Sequence, residues 1–187
     1  MNLKKKKMTF TTTIMTNELL KKLYPQSTEA NRQKYLEYLN EYMPQYGIDT
    51  PLRQAAFIAQ IGHESAQLTY SKEIASGQSY EGRKDLGNIY PGMGVKYKGR
   101  GLIQITGFYN YEKASKALGV DFIKQPELLE QPEWAVKSAC WWWKSHGLNE
   151  IADNGDFRMI TKIINGGSNG YEDRLKLYNI AKKVFGV

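Results

Sequence analysis

Asp49-Thr50-Pro51-Leu52-Arg53-Gln54-Ala55-Ala56-Phe57-Ile58-Ala59-Gln60-Ile61-Gly62-His63-Glu64-Ser65 is the stretch that decides the fold. It opens on a capping residue followed by Pro at the first helical position, where the missing N–H has no partner to lose. Leu52, Ala55, Ala56, Phe57, Ile58, Ala59 and Ile61 leave almost no polar side. The helix expected from Pro51 to about Ser65 is therefore a buried one. Such a helix needs cover on every side, and the rest of the chain supplies it.

Upstream, Thr16 to Leu23 reads as a short helix stopped by Pro25. Ser27-Thr28-Glu29 opens another, with Tyr35, Leu36, Leu39, Tyr42 and Met43 spaced for one face, and Gly47 ends it. Downstream the character changes between Gln67 and Gly107, where glycines recur from Gly77 to Gly107 alongside Asn88 and Pro91. Loops and short strands are expected there. Helices resume at Tyr109 to Leu118, Pro132 to His146, Asp156 to Ile164 and Glu172 to Phe185, with Gly119 and Gly147 as stops. The pattern predicts a mainly α chain: a helical body with a small glycine-rich lobe of loops and short strands inserted in its middle. The junction between the two is a natural cleft.

The chain has 187 residues, enough for one domain with its own core. Residues 1–15 read as a disordered basic N-terminal tail and 16–187 as the single domain. Met1 to Met15 has a lysine run but no apolar segment after it, so a secretory signal is not expected. No stretch reaches the roughly 20 apolar residues of a membrane span, and no stable membrane insertion is expected. The one cysteine, Cys140, lies in an apolar helix and reads as a buried structural thiol that cannot form an internal disulfide. The formal charge of +7 favours polyanionic partners. No basic stretch interleaves with aromatics as nucleic-acid binders require, so no nucleic acid is expected. His63 and His146 are far apart and no Cys/His cluster exists, so neither metal nor other cofactor is expected. The 13 Tyr and 4 Trp suit a carbohydrate surface as well as a core.

Glu64 is the candidate acid. It closes a buried helix, where desolvation disfavours the charged carboxylate and the partial negative charge of the helix end disfavours it again. A carboxyl kept protonated near neutral pH is what a glycosidic general acid must be. Glycosidases need a second carboxylate across the scissile bond, and Glu73 and Glu81 are the candidates in the polar lobe. In Tyr97-Lys98-Gly99-Arg100-Gly101-Leu102-Ile103-Gln104-Ile105-Thr106-Gly107, strand alternation would place Gln104 and Thr106 on one side of an extended segment. An amide and a hydroxyl side by side can hold a water or an N-acetyl group. Ile164-Asn165-Gly166-Gly167-Ser168-Asn169-Gly170 reads as a glycine turn closing a helix.

These strings together resemble glycoside hydrolase family 19 in its short bacterial and phage form. The residues that carry the resemblance are Ala56 to Ser65, then Gly99 to Gly107 with Tyr109-Asn110-Tyr111, then Ile164-Asn165-Gly166-Gly167 with Asp173-Arg174. They occur in the family's order and cover residues 16–187. The resemblance implies a mainly α, lysozyme-like domain with a cleft, and inverting hydrolysis. It implies Glu64 as general acid, Glu73 as the second catalytic carboxylate, Thr106 as the group that positions the attacking water and Gln104 beside it. Tyr109, Asn110, Asn165 and Arg174 match positions that bind sugar or support the acid. Plant-type members carry a Glu after the Asn-Gly-Gly turn that joins Arg and acid in a network. Here that position is Asn169, so Arg174 is expected to act alone.

The expected substrate is the peptidoglycan glycan strand, cut after N-acetylmuramic acid. The expected setting is that of an endolysin: a monomer held in the host cytoplasm until it is released to the wall. Chitin, with the same β-1,4 amino-sugar backbone, is the alternative. A lytic transglycosylase with a single Glu, or a wall-binding module without catalysis, are the readings from other classes.

Overall fold

The computed structural model describes residues 12–187. Most of the expected N-terminal tail lies outside them. Residues 12–15 of it pack on the body. Thr12 Oγ1 donates to Asp49 O at 2.7 Å, and Met15 exchanges backbone hydrogen bonds with the Asn40 amide at 2.7 and 2.9 Å. The Met15 side chain is buried.

Three helices form the first half of the body: α1 (Asn17–Leu23), α2 (Glu29–Gln45) and α3 (Pro51–Glu64). Thr16, Thr28 and Thr50 cap them, each hydroxyl accepting from a backbone N–H in the first turn. Every residue of α3 from Gln54 to Gly62 is buried, as its all-round apolar pattern predicts. In chain order follow α4 (Met93–Lys96), α5 (Phe108–Leu118), α6 (Pro132–Ser145), α7 (Leu148–Asp153), α8 (Phe157–Asn165) and α9 (Tyr171–Phe185). α9 lies along α3, and α6 packs on α2. Gly62 makes the close approach possible: a Cβ there would meet Tyr24 Cε1 at 2.5 Å and Leu177 Cδ1 at 3.2 Å. Phe57 of α3 meets Trp143 of α6 edge to face, with ring centroids 5.4 Å apart. Cys140 is fully buried beside them on α6, and burial pushes its thiol up, so it stays protonated and unreactive.

The middle of the chain is the expected glycine-rich lobe, with less strand than expected. Its only pairings among the described residues are the single bridges Lys72↔Arg100 and Arg100↔Ile105. The segment 101–104 is a turn rather than an extended strand, because Gly101 (φ +85) and Gln104 (φ +63) both adopt left-handed backbone. The short helices α4 and α7 were not expected. Each is too short to show a period, and α7 follows directly on the stop signal of Gly147.

No helix among the described residues is long and apolar enough to cross a membrane. α9 buries Arg174, Leu177, Tyr178 and Ala181 and so belongs to the core.

Candidate active site

The candidate residues fall into two groups, one on the helical body and one on the lobe. On the body, α3 ends at Glu64 opposite the first turn of α9. Arg174 Nη2 lies 2.6 Å from Glu64 Oε1, with the Arg174 side chain 3% exposed and that of Glu64 18%. The residues just before them pair in parallel: His63 Nδ1 is 2.7 Å from Asp173 Oδ2. Successive pairs thus join the end of α3 to the start of α9. His63 is held by Asp173 and by Gly170, where a Cβ would come within 2.4 Å of the imidazole. These contacts fix the orientation of the His63 ring. The expected apolar niche around Glu64 is replaced by a cation, because the start of α9 brings Arg174 against the helix end.

Arg174 does not act alone. Its Nη1 donates to Gln60 Oε1 at 2.7 Å and its Nε to the Asn169 carbonyl at 3.2 Å. Gln60 Nε2 in turn donates to Thr161 Oγ1 at 2.9 Å, and that hydroxyl donates to Phe157 O at 3.1 Å. Thr161 thereby fixes which end of the Gln60 amide faces Arg174. Gln60, Thr161 and Arg174 are all buried, and buried polar groups need every partner they have. Asn169 contributes its backbone, so the absent side-chain carboxylate is replaced by an amide oxygen from Gln60 and a main-chain oxygen.

On the lobe, the two bridges at Arg100 draw together the segments bearing Glu73, Gly99, Gln104 and Thr106. Glu73 N donates to Gly99 O at 2.9 Å, and Gly99 N donates back to Glu73 Oε2 at 3.0 Å. Gly99 marks the meeting point of the group. A Cβ there would meet Gln104 Oε1 at 2.6 Å, Glu73 Oε2 at 3.1 Å and Thr106 Oγ1 at 3.3 Å. A carboxylate oxygen, an amide oxygen and a hydroxyl therefore converge beside Gly99. The turn at 101–104, not strand alternation, brings Gln104 beside Thr106. Thr106 Oγ1 donates to Gln104 O at 3.0 Å.

The second oxygen of Glu73 accepts from Tyr80 OH at 3.0 Å. Burial and the Glu73 carboxylate push the Tyr80 phenol up, so it remains a donor. Glu81 is committed elsewhere: it accepts from Gly92 N at 2.6 Å and Gly94 N at 2.9 Å, tying the entry of α4. Of the two lobe carboxylates, only Glu73 sits with Gln104 and Thr106.

The remaining candidates flank these groups. Asn110 Nδ2 donates to Thr106 O at 2.7 Å and so braces the Thr106 segment. Tyr109 is 46% exposed, and its ring covers Gly87, where a Cβ would come within 2.7 Å of it. Asn165 is the last residue of α8, ahead of Gly166 in left-handed backbone as the cap. Its side chain hydrogen-bonds none of the other candidates among the described residues. Gln60, Thr161 and Tyr80 are the supporting residues that sequence reasoning missed. No group of three or more metal-type ligands occurs among the described residues.

A family profile described as Chitinase class I matches residues 47–153. A glycosyl hydrolase family 19 domain-containing protein of Haemophilus influenzae is 31% identical over 198 residues, covering 89% of this chain and 95% of that protein. An endochitinase of Arabidopsis thaliana is 34% identical over 138 residues, covering 73% of this chain but 47% of its own length. The chain thus spans nearly all of the bacterial relative and about half of the plant one. Among solved structures, chitinase C of Streptomyces griseus superposes with a TM-score of 0.73 at 25% identity, over 93% of this chain and 77% of that one. A class IV chitinase of Zea mays gives 0.71 at 25%, over 93% and 94%.

Proposed function

Since the chain belongs to glycoside hydrolase family 19, and is a chitinase-like glycoside hydrolase, we propose that it hydrolyses the β-1,4 bond after N-acetylmuramic acid in peptidoglycan, with inversion. The observation that carries the mechanism is the meeting of Glu73, Gln104 and Thr106 at Gly99. An inverting enzyme needs a base, and groups that hold a water, on the face of the sugar opposite its acid. Glu73 takes one proton of that water, and Gln104 Oε1 accepts its other O–H beside Thr106 Oγ1. Glu64 donates its proton to the leaving oxygen, and Arg174, itself fixed by Gln60, keeps the carboxyl aimed. Tyr109, Asn110 and Asn165 line the path of the sugar strand. Atoms balance: water adds hydroxyl to the anomeric carbon, its proton goes to Glu73, and the leaving oxygen keeps the proton of Glu64.

The charge of +7 supports an anionic wall as substrate, because a basic surface raises the local concentration of a polyanion. In that reading the enzyme is a monomer that waits in the host cytoplasm and reaches the wall once a separate protein permeabilises the membrane. The second reading is chitin, favoured by the names of the plant and Streptomyces relatives.

Mass spectrometry of digests of purified peptidoglycan and of chitin oligosaccharides decides between them. New reducing ends on muramic acid support the proposal, and products from chitin alone support the second reading. 1,6-Anhydro ends would replace hydrolysis by transglycosylation. Glu64→Gln is expected to fold normally and lose nearly all turnover. Glu73→Gln is expected to be severely impaired and Glu81→Gln mildly so, and the reverse order would move the base to Glu81.

A further inference from the structure

The Asn-Gly-Gly turn has two faces. One packs on the two residues beside Glu64: Gly170 lies over His63, and the Asn169 carbonyl accepts from Arg174. The other borders two adjoining open hollows of about 270 and 330 Å³, which share Arg158, Ser168 and Tyr171. The smaller is also lined by Thr161, the residue that anchors Gln60. The smaller hollow therefore borders the network that holds Glu64, beside the turn that follows α8.

Their chemistry is cationic and preorganised. The Arg158 guanidinium lies 4.2 Å from the centre of the Tyr171 ring. Tyr171 is propped in turn by Phe157, at 6.5 Å, which stacks on Tyr178 at 4.2 Å in the core. A guanidinium held over an aromatic face is partly ordered before it meets a carboxylate, and its N–H groups can pair with one. Arg158 has no carboxylate partner among the described residues; arginines 53, 83, 100 and 174 each have one, and Arg32, which also lacks one, is held by Asn17 Oδ1 and Ser27 O. Lys162, one helical turn on, lines the smaller hollow with a second cation. Glu172 lines only the larger one. The hollows thus offer two cations near the turn and a carboxylate at one side, which suits a peptide bearing both carboxylates and an amine.

Chitin carries no anionic substituent to use such a site, whereas the muramyl unit of peptidoglycan carries a lactyl-linked stem peptide with free carboxylates. We propose that Arg158, with Lys162, binds a stem-peptide carboxylate beside the cleft and so selects peptide-bearing glycan. This rests on the peptidoglycan reading for its biological sense, but its test does not depend on cleavage.

The test is calorimetric titration of the inactive Glu64→Gln protein with three probes. They are a peptidoglycan tetrasaccharide carrying its stem peptides, the same tetrasaccharide stripped of them by an amidase, and a chitin tetramer. The peptide-bearing probe is expected to bind about 10-fold or more tightly than the stripped one, with the advantage shrinking as salt screens the pair. Arg158→Ala in the same background is expected to bring that ratio close to one, and Arg158→Lys to keep part of it. Equal affinity for the peptide-bearing and stripped probes would overturn the proposal. So would an Arg158→Ala protein that weakens both probes by the same factor. Separate digests with the wild-type enzyme report on the substrate reading. A protein that cuts chitin alone but shows the ratio would lose that reading and keep the peptide site.

Discussion

Replacing Gln60 by Leu isolates the link between the buried network and the acid. The two side chains have similar size, so the substitution opens no large cavity in the middle of α3. It removes the acceptor of Arg174 Nη1, a 2.7 Å bond inside the protein. A hydrogen bond to a charged group contributes about 1.5–3 kcal/mol, and the stranded buried donor lies at the upper end of that range. The greater burial of an apolar side chain offsets part of it. A net loss of about 2 kcal/mol is expected, which for a domain of this size lowers Tm by about 4–8 °C. Arg174 keeps Glu64 and the Asn169 carbonyl but loses the contact that fixes its plane. The acid is then aimed less well, and kcat is expected to fall about 10- to 100-fold, or roughly 1.4–2.7 kcal/mol of transition-state stabilisation. KM should change little, because Gln60 is buried and touches no substrate.

Thr161→Val acts one step further out. It removes a neutral acceptor worth about 1 kcal/mol, so both its Tm and its kcat effects should be smaller, and Thr161→Ser should restore most of each. Thermal melts and reducing-end kinetics on the same samples check the series. If Gln60→Leu loses stability but keeps kcat within two-fold, the network is structural and the argument for an aimed acid fails. A loss of kcat in Thr161→Val as large as in Gln60→Leu would refute the order of the chain Thr161–Gln60–Arg174–Glu64.

Two further substitutions probe the lobe and the helix end. Gly99→Ala places a methyl 2.6 Å from Gln104 Oε1 and 3.1 Å from Glu73 Oε2. It should push Gln104 and Glu73 out of their present positions and lower kcat at least 10-fold while the protein still folds; wild-type turnover would remove their grouping from the mechanism. Ala66 is exposed and held at φ +48, so Ala66→Gly should raise stability by about 0.5–1 kcal/mol, seen as a higher denaturation midpoint. A loss of that size, which Gly usually causes, would contradict the left-handed backbone there.

What could be read from the sequence was what local chemistry decides. Thr16, Thr28, Thr50 and Asp156 all cap the helices assigned to them, because a cap depends only on a side chain and the N–H groups of the next turn. The burial of α3 followed from its composition alone. Gln60 was invisible for the opposite reason. Its partners Thr161 and Arg174 lie 101 and 114 residues along the chain, so within α3 it reads as one more core position. Glu81 and Glu73 were indistinguishable by type and lobe. What separates them is that Glu81 is consumed by the amides of Gly92 and Gly94, a pairing made by the fold. Gln104 and Thr106 were rightly placed together for the wrong reason: a left-handed turn supplies the adjacency that strand alternation was expected to give.

That turn belongs to a wider pattern. Among the described residues, the non-glycine positions with positive φ are Ala66, Gln67, Leu68 and Gln104. Three follow Glu64 almost at once, and the fourth lies just before Thr106. L-residues in this backbone cost about 1–2 kcal/mol each, so such a run persists only when its surroundings hold it. Here Leu68 is buried to 1% exposure, its N–H donates to Ser65 Oγ at 2.9 Å, and Gln67 N donates to Gly62 O at 2.7 Å. Burying a leucine contributes about 1.5–3 kcal/mol, which offsets much of the strain. The gain is positional. α3 stops at Glu64, the left-handed turn redirects the chain, and the Lys72↔Arg100 bridge then clamps it with Glu73 against Gly99. The path from Glu64 to Glu73 is thus fixed at both ends by backbone geometry. Within the stretch between Glu73 and Gly99, Tyr80 adds a third hold on the Glu73 carboxylate, so that stretch is expected to tolerate changes of length only where Tyr80 keeps its contact.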